Sequence, residues 1–168
     1  MNLTIGLDKP RPKEYWSGPP AGDAIVRLTA QEIRNMTPLD VAMSFAEAIN
    51  SKDVDRLVRL MTADHTFIDG DGSEHRGRDQ MKAGWKEHFG LIPDLTLSIS
   101  EHYEDKDTVV LLGWSNGTII ENGELKPENF WRVPSAWRVV VESERVAVWQ
   151  LYANQCALHE IYDRIKTA

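Results

Sequence analysis

Cysteine is nearly absent from this 168-residue chain, which carries only Cys156. No intramolecular disulfide can form, and no multi-cysteine metal site can be built. Cys156 sits in an apolar stretch and reads as a buried, inert thiol. Positive charge is also scarce. Nineteen Lys and Arg face 26 Asp and Glu, giving a net charge of −7. The basic residues are scattered without a run, which argues against nucleic acid and anionic membranes as partners. No apolar stretch approaches the roughly 20 residues of a membrane-spanning helix. The opening MNLTIGLDKPRPKEYW lacks the apolar core of a signal peptide, so the expected location is cytoplasmic. There is no nucleophile elbow, no Gly-rich phosphate loop after a strand and no His-Glu metal helix. The five histidines show no paired metal-ligand spacing. Neither a metal nor a cofactor is expected, and covalent catalysis and nucleotide binding are disfavoured.

What is present is enough apolar residue, 42% of the chain, to fold as one domain without staples. Residues 1–36 carry Pro10, Pro12, Pro19 and Pro20 and read as an arm with one short helix, opened by the capping-box pair Thr29 and Glu32 and ending near Asn35. Tyr15 and Trp16 give part of that arm a surface to pack. The domain proper occupies 37–168. Thr37, Pro38 and Asp40 form a helix-start signal. Val41, Ala42, Phe45, Ala48 and Ile49 follow at helical spacing, and Asn50–Asp53 breaks the helix. A second helix carries Val54, Leu57, Val58 and Met61. Thr66–Asp69 predicts a short strand stopped by Gly70-Asp71-Gly72, and Arg78–Phe89 a third helix ended by Gly90 and Pro93. From Asp94 the period changes to two. Strands are predicted from Leu95 to Tyr103, Thr108 to Ile120, Phe130 to Val141 and Val146 to His159, with Asn122-Gly123 as a hairpin turn. Helices first and strands second make an α+β domain with an antiparallel meander.

Three segments carry a resemblance: FAEAINSKDVDRLVRLM, HTFIDGDGSEHRG and AVWQLYANQ. Together they resemble the SnoaL-like and nuclear-transport-factor-2-like superfamily, which includes ketosteroid isomerases and polyketide cyclases, over about Thr37 to Tyr162. The resemblance implies a cystatin-like cone, with N-terminal helices packed on a curved antiparallel sheet around a pocket. It also implies a homodimer formed through the outer sheet face, since an exposed face carrying Val and Trp is a large apolar patch for a monomer. The stretch Thr66–Asp69 followed by Gly72-Ser73-Glu74 is similar to the isomerase segment holding its general base, which places Asp69 in that role. That enzyme is a standard worked case of an Asp base paired with an oxyanion hole. Its tyrosine donor corresponds to Phe45, which has no hydroxyl, and its second donor to Ser135. An acidic residue of SnoaL-type endings corresponds to Asn154.

The candidate catalytic residues are therefore Asp69 and Ser135. Alternation puts His65, Phe67 and Asp69 on one strand face. Asp69 also has a purely local reading, as the first residue of the Gly70–Gly72 turn. His65, at a predicted helix-to-strand corner, reads as a surface residue. His88, three residues after Trp85 on a helix, reads either as a contact at the mouth or as a solvated histidine. Trp131 and Trp137 share parity with Ser135 unless Pro134 marks a bulge. Trp149 reads as core. The candidate ligand-binding set is Phe45, Phe67, Trp85, His88, Trp114, Trp131, Trp137, Tyr152 and Asn154, an aromatic wall suited to a small apolar or aromatic molecule. The functional expectation is binding of such a metabolite, with cofactor-free isomerisation or cyclisation as the chemistry. The alternatives are a non-catalytic ligand-binding or dimerisation module of the same fold and, more remotely, a dehydratase or epoxide hydrolase. Whether the chain is an enzyme stays open at this level.

Overall fold

The computed structural model describes residues 36–167, so all but the last residue of the arm expected over 1–36, with the short helix expected there and Trp16, lies outside them. The first helix, α1 (Pro38–Asn50), starts where the sequence predicts. Thr37 accepts from Asp40 N at 3.2 Å and the Asp40 carboxylate accepts from Thr37 N at 2.9 Å, a reciprocal capping box. One face of α1 buries Val41, Ala42, Phe45, Ala46, Ala48 and Ile49. Lys52, at a φ of 57°, turns the chain into α2 (Val54–Leu60), capped by Asp53.

Strand β1 (Met61–Ile68) begins five residues earlier than predicted. Met61 is its first residue, fully buried and paired with Val146, and not the end of a helix. His65 consequently sits inside the strand and is 1% exposed, against the surface position expected for it. It packs on Phe45 and places Nδ1 2.8 Å from Val146 O. A carbonyl only accepts, so Nδ1 carries the proton. The short β2 (Glu74–Arg76) pairs with β1, and α3 (Arg78–Leu91) follows.

Strands β3 (Thr96–Asp105), β4 (Thr108–Glu121), β5 (Glu124–Glu142) and β6 (Arg145–Ala153) form the meander. Asn122 and Gly123, at φ values of 52° and 84°, make the β4–β5 turn, as their sequence signals. The order across the sheet is β2-β1-β6-β5-β4-β3. Every pairing is antiparallel except β1 with β6, which run parallel, so the sheet is not a pure meander. Strand β5 alternates strictly along its second half. Trp131, Val133, Ser135, Trp137, Val139 and Val141 are buried, and the residues between them are not. Pro134 therefore does not reset the phase.

Strand β6 stops at Ala153 and not at His159. The chain then forms α4 (Cys156–Thr167), which the strand reading overlooked. Asn154 Oδ1 accepts from Cys156 N at 3.0 Å, turning the backbone into the helix. Leu158, Ile161, Tyr162 and Ile165 recur at helical spacing and pack against the core. At the other end, Arg164 donates to Asn129 Oδ1 at 2.7 Å and to Glu128 O at 2.8 Å. Cys156 is exposed at the start of α4, which corrects its reading as a buried thiol. The described residues thus form an α+β, cystatin-like cone of four helices on a six-stranded sheet. None of these helices is long and apolar enough to cross a membrane.

Candidate functional site

Between the helices and the concave face of the sheet lies a cavity of about 570 Å³. Its inner walls are aromatic. Trp131 and Trp137 come from β5, Trp149 from β6, Phe67 from β1 and Trp85 from α3. All four indoles are at least nine-tenths buried. The indole N–H groups of Trp85 and Trp131 are sealed from solvent and find no acceptor among the described residues. Aromatic packing holds Trp85, 5.3 Å from Phe89 and 6.1 Å from Phe67 between ring centres.

The polar lining gathers among the more exposed residues, which marks the mouth. Asp69 leaves β1 there. Its backbone closes the turn, with Asp69 N donating to Ser73 O and Gly72 N donating to Asp69 O, both at 2.9 Å. Its side chain nevertheless lines the cavity. The turn reading and the cavity reading of Asp69 hold together. Carboxylate Oδ1 accepts from Gly70 N at 2.6 Å and from Gln155 Nε2 at 2.8 Å. Among the described residues Oδ2 accepts no hydrogen bond.

His88 lines the same mouth, edge-on to Trp85 at 5.8 Å. Burial pushes its imidazole below the usual range, against the opposing pull of the Asp69 charge, and Lys52 pushes it further down. It is neutral at pH 7. Tyr162, from α4, also lines the mouth. Burial and the Asp69 charge raise its phenol, so it stays protonated and able to donate. Asp69, His88 and Tyr162 thus line one cavity, together with His75, Glu87 and His159. No lysine or arginine lines it among the described residues, nor do three or more His, Cys, Asp or Glu side chains there form a metal-holding group.

Of the residues singled out from sequence, Asp69, Phe67, Trp85, His88, Trp131 and Trp137 share this cavity. The others do not. Phe45 is wholly buried between α1 and the sheet, 4.8 Å from Trp149 between ring centres, and does not line it. Ser135 is buried on the inner face of β5 but is not among the lining residues. Ser115 lines the cavity, and the Ser115 and Ser135 Oγ atoms lie 2.7 Å apart. The Ser135 hydroxyl donates to Val133 O at 3.3 Å, and Ser115 then donates to Ser135. Trp114 is opposite Pro134 in the β4–β5 register, and cross-strand partners share a face. It therefore points outward, where Arg132 lies 4.3 Å over its ring. Tyr152, opposite Ala136, is likewise exposed on the outer side. Asn154 caps the turn into α4 and is exposed. Residues that sequence reasoning missed include Gln80 and Glu87 on α3, Ser115 on β4, and Gln155, Leu158, His159 and Tyr162 on or entering α4. The helical spacing of Leu158, Ile161, Tyr162 and Ile165 was the signal that could have found the α4 group.

The model of the SnoaL-like domain family matches residues 42–150, about two thirds of the chain. No curated protein matches the sequence. Among solved structures, the chain is similar to a hypothetical protein of ketosteroid isomerase-like fold from Catenulispora acidiphila, in complex with trimethylamine. The identity is 23% and the TM-score 0.59, over 69% of this chain and 86% of that one. It is also similar to a candidate SnoaL-like polyketide cyclase from Shewanella denitrificans, at 13% identity and a TM-score of 0.65, over 76% and 97%. A third is IdmH, a candidate polyketide cyclase from Streptomyces antibioticus, at 18% identity and a TM-score of 0.63, over 76% and 99%.

Proposed function

The chain belongs to the SnoaL-like domain family, and from that premise we propose that it binds a small apolar or aromatic metabolite and moves a proton on it next to a carbonyl, with Asp69 as general base. One observation carries the reading: a carboxylate with one engaged oxygen stands at the mouth of a tryptophan-walled cavity, beside a neutral imidazole and a protonated phenol. In the step envisaged, the Asp69 carboxylate takes a proton from the carbon beside the carbonyl. The C–H electron pair forms the new carbon–carbon double bond, the carbonyl π pair moves onto the oxygen, and the Tyr162 hydroxyl donates to that oxygen as it gains charge. Return of the proton at another carbon is an isomerisation, and attack by the enolate on a second carbonyl is a cyclisation. The lack of lysine and arginine in the described lining, beside Asp69 and Glu87, disfavours an anionic substrate.

The test uses 2-tetralone, a flat aromatic ketone, as a probe in deuterated buffer, following loss of its α-proton signals by NMR. The protein should accelerate exchange, and Asp69→Asn should slow it about 100-fold or more, the usual contribution of a positioned base. Equal rates for the two proteins would sink the mechanism. A second reading, a binding module without catalysis, is favoured by a specific observation: Phe45 and Ser135, where relatives would hold oxyanion donors, do not reach the cavity. On that reading Asp69→Asn binds the probe as well as the wild type does, and neither exchanges it. We also propose a homodimer through the outer sheet face, where Trp114 and Tyr152 are exposed.

A further inference from the structure

We infer that Gln155 is a positioning residue for Asp69, and that Gly70 is glycine so that Gln155 can reach it. The inference rests on the reading of Asp69 as the base and deepens it.

Three contacts meet at this point. Gln155 Nε2 donates to Asp69 Oδ1 at 2.8 Å, across 86 positions of sequence. Gly70 N donates to the same oxygen at 2.6 Å. A Cβ on Gly70 would stand 3.0 Å from Gln155 Cδ and 3.1 Å from Gln155 Oε1, with Ala153 O at 3.4 Å. Any side chain at position 70 thus presses on the amide group that holds Asp69. Gly70 is not required by its backbone angle, since its φ is not among the positive values of this chain. Space for Gln155 is the remaining reason for a glycine there.

The geometry has a direct consequence for proton transfer. Two donors on Oδ1 hold the carboxylate plane and direct Oδ2 as the free basic atom. Gln155 follows the Asn154 turn and leads into α4, the helix that brings Tyr162 to the same mouth. One side chain therefore ties the element carrying the base to the element carrying the donor. A base displaced by a fraction of an ångström from its reacting carbon loses rate without losing substrate affinity.

The experiment compares Gln155→Met, which keeps length and removes the donor, with Gly70→Ala, which displaces it, in the full chain. In the 2-tetralone exchange assay each should lower kcat about tenfold with KM within about twofold. The double variant should be no slower than the slower single one, because both remove the same bond. Unchanged kcat in Gln155→Met, or effects that multiply in the double variant, would overturn the inference. A second readout needs no turnover. The Gln155 side-chain amide resonances in a ¹⁵N-labelled protein should move on Gly70→Ala and on Asp69→Asn, and resonances indifferent to both overturn it. If Asp69→Asn leaves exchange intact while those resonances move, the base assignment has failed and the contact stands. If Asp69→Asn abolishes exchange while Gln155→Met does not, only the positioning role has failed.

Discussion

His65 gives the fold a built-in sensitivity to acid. It is 1% exposed, stacked near Phe45, with its Nδ1–H committed to Val146 O. Burial lowers its imidazole below the ordinary value of 6.5, outweighing the Val146 bond and the Asp64 charge, which pull the other way. The sign follows from counting protons. Above pH ~6.5 neither the folded nor the unfolded imidazole is charged, and His65 costs nothing. As pH falls below that value the unfolded chain takes up a proton that the folded one refuses. Stability therefore declines, by at most about 1.4 kcal/mol per pH unit from this single group, until the folded imidazole itself protonates. The loss between pH 6 and pH 5 stays within that limit and grows the further burial holds the folded imidazole below its ordinary value. The comparison is His65→Asn, whose amide can donate to Val146 O but does not titrate. Urea melts from pH 7.5 to 4.5 should give the variant lower stability at neutral pH, from lost packing, and a shallower acid limb. His88 and the carboxylates are common to both proteins and cancel in the difference. Parallel acid limbs would show that His65 protonation is not coupled to unfolding, and the argument from burial would fall.

Phe45→Tyr tests the claim that α1 does not serve the cavity. The ring is fully buried and off the cavity lining, so the new hydroxyl would be sealed without a partner, costing about 1–3 kcal/mol in a chemical melt. The exchange rate on 2-tetralone should not rise, and a gain would place Phe45 at the reacting oxygen after all. For the outer face, light scattering at micromolar concentration should return the dimer mass for the wild type and a monomer-weighted mass for the Trp114→Glu, Tyr152→Glu double variant, with probe binding retained. A wild-type monomer would refute the dimer.

Sequence legibility divided along physical lines. Signals that act within a few residues read correctly: the Thr37–Asp40 box, the Asn122-Gly123 turn and the alternation of β5 through Pro134. Two boundaries failed where one period runs into another. Leu57, Leu60 and Met61 continue a helical apolar spacing, but the backbone switches to extended at Met61, which drew His65 into the core. Val146–Tyr152 alternates as a strand, and that rhythm masked the helical spacing that starts at Leu158. Trp114 and Tyr152 failed for a different reason. Parity along one strand fixes which residues share a face, not which face looks inward. Only the pairing of Trp114 with Pro134 and of Tyr152 with Ala136 settles that, and register is a long-range property.

The same boundary error concealed the functional arrangement. Read as a strand, the segment after Ala153 offers Tyr152 and Asn154 as the polar groups near the base. Folded as it is, the Asn154 side chain is spent on turning the chain, Gln155 reaches Asp69 from the residue before α4, and Tyr162 lines the same cavity from within the helix. Phe45 is a packing residue, wholly buried and off the cavity lining. Asn129, fully buried, secures the far end of α4: it donates to Ile119 O at 3.2 Å and to Glu121 Oε2 at 3.0 Å, and accepts from Arg164. The helix is tied at its start by Gln155 to Asp69 and near its end by Arg164 to β5. The chemistry proposed for this cavity then depends on the last helix of the chain, and a loss of the Asp69–Gln155 bond would be felt at Tyr162 as well as at Asp69.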